Sequence, residues 1–165
     1  EQLREFTGHS ARITSIEFSE DGRWLLTASN DRAIILWDYE TGRLLRRFTE
    51  HRGAVNDVVF SPDGTRILSG AEDTRVILWD IETGNSIQTF SEQDTPITSV
   101  AFIEDGRVAV SGALDGSLVK REFDTGSGLR EWAENNRFIP TLTCEERQRF
   151  NLTCEVADES TTSTG

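Results

Sequence analysis

Residues 8–38 read GHSARITSIEFSEDGRWLLTASNDRAIILWD, and residues 50–80 read EHRGAVNDVVFSPDGTRILSGAEDTRVILWD. The two stretches are one pattern displaced by 42 residues, and a weaker third copy follows. Windows 7–48, 49–90 and 91–132 superpose without insertion or deletion, and six columns are identical in all three. Those columns hold Phe18/Phe60/Phe102, Asp21/Asp63/Asp105, Gly22/Gly64/Gly106, Asp31/Asp73/Asp115, Thr41/Thr83/Thr125 and Gly42/Gly84/Gly126. Self-similarity at this period marks a fold made by stacking one supersecondary unit.

Each unit reads as four short strands. Ile13 to Phe18 alternates apolar and polar residues, as a half-buried strand does. Asp21-Gly22 turns the chain, because glycine accepts positive φ without steric cost. Trp24 to Ser29 is a second strand, and Asn30-Asp31-Arg32 a second tight turn. Ala33 to Asp38 is apolar almost throughout, which fits a strand buried on both faces. Thr41-Gly42 turns again before a fourth strand at Leu44 to Phe48. One such unit cannot cover both faces of its own sheet, so neighbouring units must stack, and radial stacking yields a propeller.

Gly8-His9 is followed 28 positions later by Trp37-Asp38, and Glu50-His51 is followed 28 later by Trp79-Asp80. This pattern resembles the WD-repeat β-propeller family. The resemblance implies an all-β fold: a partial propeller of three four-stranded antiparallel blades, with a short helical or irregular C-terminal tail. Blade 1 spans 7–48, blade 2 spans 49–90 and a degenerate blade 3 spans 91–132. Residues 1–6 fall in the register of the outer strand of a preceding, absent blade. The tail covers 133–157 with a short helix near 143–150, opened by the capping box Thr143-Cys144-Glu145-Glu146, and 158–165 reads as disordered. The stretch 127–137 fits either a strand or a helix. Leu129 to Phe138 and Leu142 to Arg147 resemble the tail of certain bacterial multi-domain WD-repeat proteins.

A histidine, an acid and a hydroxyl within one unit raise the question of a catalytic triad. The family resemblance implies a structural tetrad instead, His9, Thr27, Asp31 and Trp37 in blade 1 and His51, Ser69, Asp73 and Trp79 in blade 2. An active site is rarely built twice in one chain, which also favours the structural role. Blade 3 keeps Ser111 and Asp115, but Gln93 stands in place of the histidine and Arg121-Glu122 in place of Trp-Asp. Arg121 is expected to pair with Asp115. By the same resemblance, partners dock on the loops after the fourth strand and between the second and third. The matching positions are Ser10, Arg12 and Asn30, then Arg52 and Glu72, then Asp94 and Leu114.

The chain has 165 residues, 29 acidic against 17 basic, a net charge of −12 and 36% hydrophobic residues. Such an excess of carboxylates argues against nucleic acid as a partner. No stretch approaches the about 18 consecutive apolar residues of a membrane-spanning helix, and no signal-peptide layout opens the chain. The composition offers no Gly-rich phosphate cradle, no calcium loop and no zinc set, so no cofactor or metal is expected. Cys144 and Cys154 are too few for a disulfide scaffold and are expected as thiols in a reducing cytosol. With no methionine, the chain reads as a processed product or fragment. The expected function is a non-catalytic, cytoplasmic scaffold that binds a protein or peptide. Missing blades of the same chain, or further copies, would close its ring. Alternatives are the sensor segment of a bacterial signalling protein with a kinase, protease or NTPase effector, and, more remotely, a propeller enzyme.

Overall fold

The computed structural model describes residues 4–123. Eleven strands form three antiparallel sheets. Blade 1 is β1 (Ile13–Phe18), β2 (Trp24–Ser29), β3 (Ile34–Asp38) and β4 (Leu44–Phe48), hydrogen-bonded in that order. Blade 2 repeats it with β5 (Val55–Phe60), β6 (Arg66–Ala71), β7 (Val76–Asp80) and β8 (Ser86–Phe90). Blade 3 contains β9 (Ile97–Ile103), β10 (Val108–Ala113) and β11 (Leu118–Glu122). The expected fourth strand of blade 3, the ambiguous stretch 127–137, the tail helix, the disordered end and both cysteines lie outside the described residues.

The central strands show why these sequences need neighbours. Along β7, Ile77 and Trp79 pack toward blade 1 with Leu26, Leu36 and Phe48, while Val76 and Leu78 pack toward blade 3 with Val100 and Ala109. A strand that alternates its side chains between faces is wholly apolar only if both faces are covered. Burying a side chain of this size stabilises by about 2–3 kcal/mol.

Blade 1 has a blade on only one side among the described residues, and its exposures record this. Val55 and Ile97 are 0% exposed, whereas Ile13 in the same repeat position is 42% exposed. Val58 and Val100 are 0% and 4% exposed, against 59% for Ile16. Part of that uncovered face is nevertheless closed. Phe6 meets the Trp37 ring edge-on at 5.6 Å, as Phe48 meets Trp79 at 5.4 Å. Arg4 bonds the Tyr39 carbonyl, and Arg46 the Glu82 and Thr83 carbonyls one repeat on. Both arginines cross glycines in the left-handed region, Gly42 (φ 73°) and Gly84 (φ 79°), where a Cβ would come within 2.7 and 2.5 Å of the arginine side chain.

The turn between second and third strands demands left-handed backbone at one position. Gly116 fills it in blade 3 (φ 85°), but Arg32 (φ 70°) and Thr74 (φ 67°) fill it in blades 1 and 2. For a residue with a Cβ that geometry costs about 1–2 kcal/mol.

Candidate functional site

Two polar chains run through blades 1 and 2. In blade 1, His9 Nδ1 lies 2.9 Å from Asp31 Oδ2, His9 Nε2 lies 2.7 Å from Thr27 Oγ1, and Trp37 Nε1 donates to that hydroxyl at 2.9 Å. In blade 2, His51 Nδ1 lies 3.1 Å from Asp73 Oδ1, His51 Nε2 lies 2.7 Å from Ser69 Oγ, and Trp79 Nε1 donates at 2.9 Å. The donor inventory fixes the direction of each chain. An indole only donates, so the hydroxyl oxygen accepts from it and gives its own proton to Nε2. An ionised carboxylate only accepts, so Nδ1 carries the ring proton.

The acids are held ionised. Burial pushes the Asp31 carboxyl up, but the Ser10 amide, the His9 ring and the Ala33 amide outweigh it and bring it down to about 2. Burial opposes Asp73 in the same way, and His51, the Arg52 amide and Arg75 hold it well below the usual carboxylate range. Each acid also caps its own turn, accepting the amide two residues ahead, Ala33 or Arg75. Every member is partnered, the condition under which a buried polar network is tolerated.

Blade 3 is built otherwise, and the expected Arg121–Asp115 pair is corrected. Arg121 is buried and forks onto Glu92 Oε2, 3.0 Å from Nη2 and 3.2 Å from Nε. Its other contacts are Ser111 Oγ (2.6 Å) and Gln93 Oε1 (3.2 Å), with the guanidinium 5.1 Å from the centre of the Phe90 ring. Ser111 donates to Gln93. Asp115 keeps only the turn-capping half of its role, accepting the Ser117 amide at 2.8 Å from an exposed position. The reason is reach. A neutral glutamine offers the acid no ring N–H, while the long arginine finds a carboxylate at Glu92 instead.

Sequence reasoning missed a second set of bonds, those that join the blades. The first strand of each blade has a register shift at its second residue, leaving Thr14, Asn56 and Thr98 bulged. A bulge re-aims its side chain. Thr14 Oγ1 donates to the Val55 carbonyl of the next blade, and Asn56 Nδ2 donates to the Ile97 carbonyl of the one after. Thr98 turns back to the Gly112 carbonyl of its own blade. Asp57 adds a clasp across all three blades, accepting Ser15 Oγ from blade 1 at 3.0 Å, its neighbour Val58 N at 3.0 Å and Val100 N from blade 3 at 2.9 Å. The signal was the change from Ser15 and Ser99 to an acid in one repeat column.

The seven expected docking positions all lie at one end of the blades and are all exposed. Backbone bonds bring the two loop types together in every blade: Asn30 N to Arg12 O (2.9 Å), Glu72 N to Ala54 O (2.8 Å) and Leu114 N to Pro96 O (2.9 Å). Ser10 and Arg52 sit beside the relays, each donating its amide to the acid, Asp31 or Asp73. Asp94 follows Gln93 at the same place in blade 3. At the opposite end Phe18, Phe60 and Phe102 line an open groove of about 370 Å³. Among the described residues no group of three or more His, Cys, Asp or Glu could hold a metal ion, and no helix is long and apolar enough to cross a membrane.

Family models agree with this geometry. The WD domain, G-beta repeat, matches residues 1–38, and the Vps8 beta-propeller matches residues 48–139, more than half of the chain. The chain belongs to the β-propeller family that the second model describes, and its first 38 residues carry a WD repeat. Over 43 residues it is 56% identical to the U3 small nucleolar RNA-associated protein 21 homolog of Schizosaccharomyces pombe, covering 26% of this chain and 5% of that protein. Human WD repeat-containing protein 36 is 46% identical over 43 residues, with the same shares. Pre-mRNA-processing factor 17 of Saccharomyces cerevisiae is 43% identical over 44 residues, 27% of this chain and 10% of that protein. The WD-repeat matches thus span a small fraction of these relatives. All three are eukaryotic, and the likeness to bacterial signalling proteins read from the tail finds no support in them.

Proposed function

We propose that this WD-repeat chain is a non-catalytic platform that holds a protein partner on the loop end of its blades, at Ser10, Arg12, Asn30, Arg52, Glu72, Asp94 and Leu114. The observation that carries the reading is the duplicated relay. The residues that look most like an enzyme's, His9 with Asp31 and His51 with Asp73, have their polar atoms engaged inside the blades, once in blade 1 and once in blade 2. What remains to differ from blade to blade is the loops, where a rigid scaffold places its specificity. Relatives whose names place them with small nucleolar RNA and pre-mRNA processing support a role within a large assembly, reached here through protein contacts. No cofactor takes part. The exposed Ile13 and Ile16, and the way Arg4 and Phe6 imitate Arg46 and Phe48, support a preceding blade next to blade 1, from the same chain or another copy. The location is cytoplasmic or, following the small nucleolar RNA in one relative's name, nucleolar. Fractionation of the tagged protein separates the two.

A photo-reactive residue installed at position 30 or 72 is expected to crosslink the partner, and one at position 20 or 62, on the opposite end, is not. Replacing Arg12, Asn30 and Arg52 together by alanine should abolish capture without lowering the melting temperature. Crosslinking from the opposite end alone, or unchanged capture by the triple variant, contradicts the assignment.

A further inference from the structure

We propose that the partner segment held on the loop end is an acidic peptide, gripped over blades 1 and 2 by Arg12, Arg32 and Arg52. This rests on the reading of that end as the docking face and names the chemistry it selects. Five of the eleven arginines between residues 7 and 123 are engaged: Arg46 by carbonyls, Arg47, Arg75 and Arg121 by both carboxylates and other acceptors, Arg66 by Asp63 and the Gly106 carbonyl. Six guanidinium groups make no hydrogen bond or ion pair among the described residues: Arg23, Arg43 and Arg107 beside the turns of the opposite end, and Arg12, Arg32 and Arg52 together at the loop end. These last three are exposed. They are also gathered. The Arg12 carbonyl accepts the amide of Asn30, two residues before Arg32. Thr14, two residues after Arg12, bonds the Val55 carbonyl, three residues after Arg52.

Arg32 stands on the turn itself. It occupies the left-handed turn position that Gly116 fills without strain in blade 3. Thr74 meets the same backbone demand in blade 2, so the strain does not select arginine; what Arg32 adds is an exposed guanidinium held at the apex of the turn. Charge changes along the loop end, from Arg12 and Arg32 on blade 1, through Arg52 with Glu72 on blade 2, to Asp94 and Asp115 on blade 3. An extended segment with a few spaced carboxylates fits three separate guanidinium forks. A nucleic acid, with uniform charge density, meets the repulsion of a surface that is acidic elsewhere.

The test uses the intact protein and three fluorescent probes: a twelve-residue peptide with four glutamates, its glutamine counterpart, and a single-stranded RNA of the same length. Anisotropy at low and at near-physiological salt should show binding of the glutamate peptide, weakened by salt, and none of the glutamine peptide. Arg12→Glu, Arg32→Glu and Arg52→Glu combined should weaken it at least about tenfold, from several fold per exposed pair. Arg32→Gly should weaken it while leaving the melting temperature the same or higher, which separates binding from folding. Equal binding of the glutamine peptide overturns the proposal. So does RNA bound as tightly as the glutamate peptide, or a triple variant that binds as before. If the peptide fails while partner crosslinking from positions 30 and 72 persists, the acidic-segment inference falls and the docking face stands.

Discussion

Replacing Ser69 by alanine takes away the one atom that two buried partners share. Ser69 is 0% exposed, Trp79 1% and His51 4%, so water cannot substitute for the lost hydroxyl. The change leaves the indole N–H without an acceptor and His51 Nε2 without a donor. Each buried unsatisfied group costs about 1–3 kcal/mol, so the variant should lose about 2–5 kcal/mol. For a chain of this size that lowers the melting temperature by roughly 5–15 °C. Urea unfolding of wild type, Ser69→Ala, Trp79→Phe and the double variant then measures the coupling. With phenylalanine at 79 the same serine change orphans only the histidine, so its cost should fall to about 1–3 kcal/mol. A loss under about 0.5 kcal/mol, or strict additivity of the two changes, refutes the relay as a structural element.

Three further outcomes follow from the same geometry. Arg121→Ala should cost about 1–3 kcal/mol in urea unfolding, because Ser111 and Gln93 lose a buried donor, while Glu92→Gln, at an exposed partner, should cost less than about 1 kcal/mol. Asp57→Ala should cost about 2–4 kcal/mol and speed amide exchange at Val100, since it strips the acceptor from bonds to Ser15, Val58 and Val100. Acid should destabilise the fold in a defined window. Asp31 is held at about 2, below its ordinary 3.8, so its contribution is complete above about pH 4 and lost as pH falls toward 2. Circular dichroism melts should show a shallower loss over that window for Asp31→Asn.

The strands and their stacking were legible because a 42-residue period fixes everything that repeats. Val76 to Asp80 could be read as a strand covered on both faces because its apolar run matched Ile34 to Asp38, and the structure packs it between two neighbours. What escaped the sequence was whatever the repeat does not share. The bulges at Thr14 and Asn56 depend on hydrogen-bond register, which side-chain alternation alone does not reveal, and their partners lie 41 residues away in the next blade. Asp57 stands where Ser15 and Ser99 stand in the other repeats, so the period says nothing of its bonds. Arg121 was assigned to Asp115 by analogy with the other blades, although its own length allowed it to reach Glu92. Arg32 passed unnoticed because positive φ is not visible in a residue name, only in comparison with Gly116.

Both histidine rings have their nitrogens engaged inside the blades. Nitrogen-15 NMR of the imidazoles reads this directly, because the shifts report which ring nitrogen bears the proton. His9 and His51 should both carry it on Nδ1, toward Asp31 and Asp73, with Nε2 an acceptor from Thr27 and Ser69. Rings protonated on Nε2, or averaging between the two forms as solvent-exposed imidazoles do, would contradict that assignment.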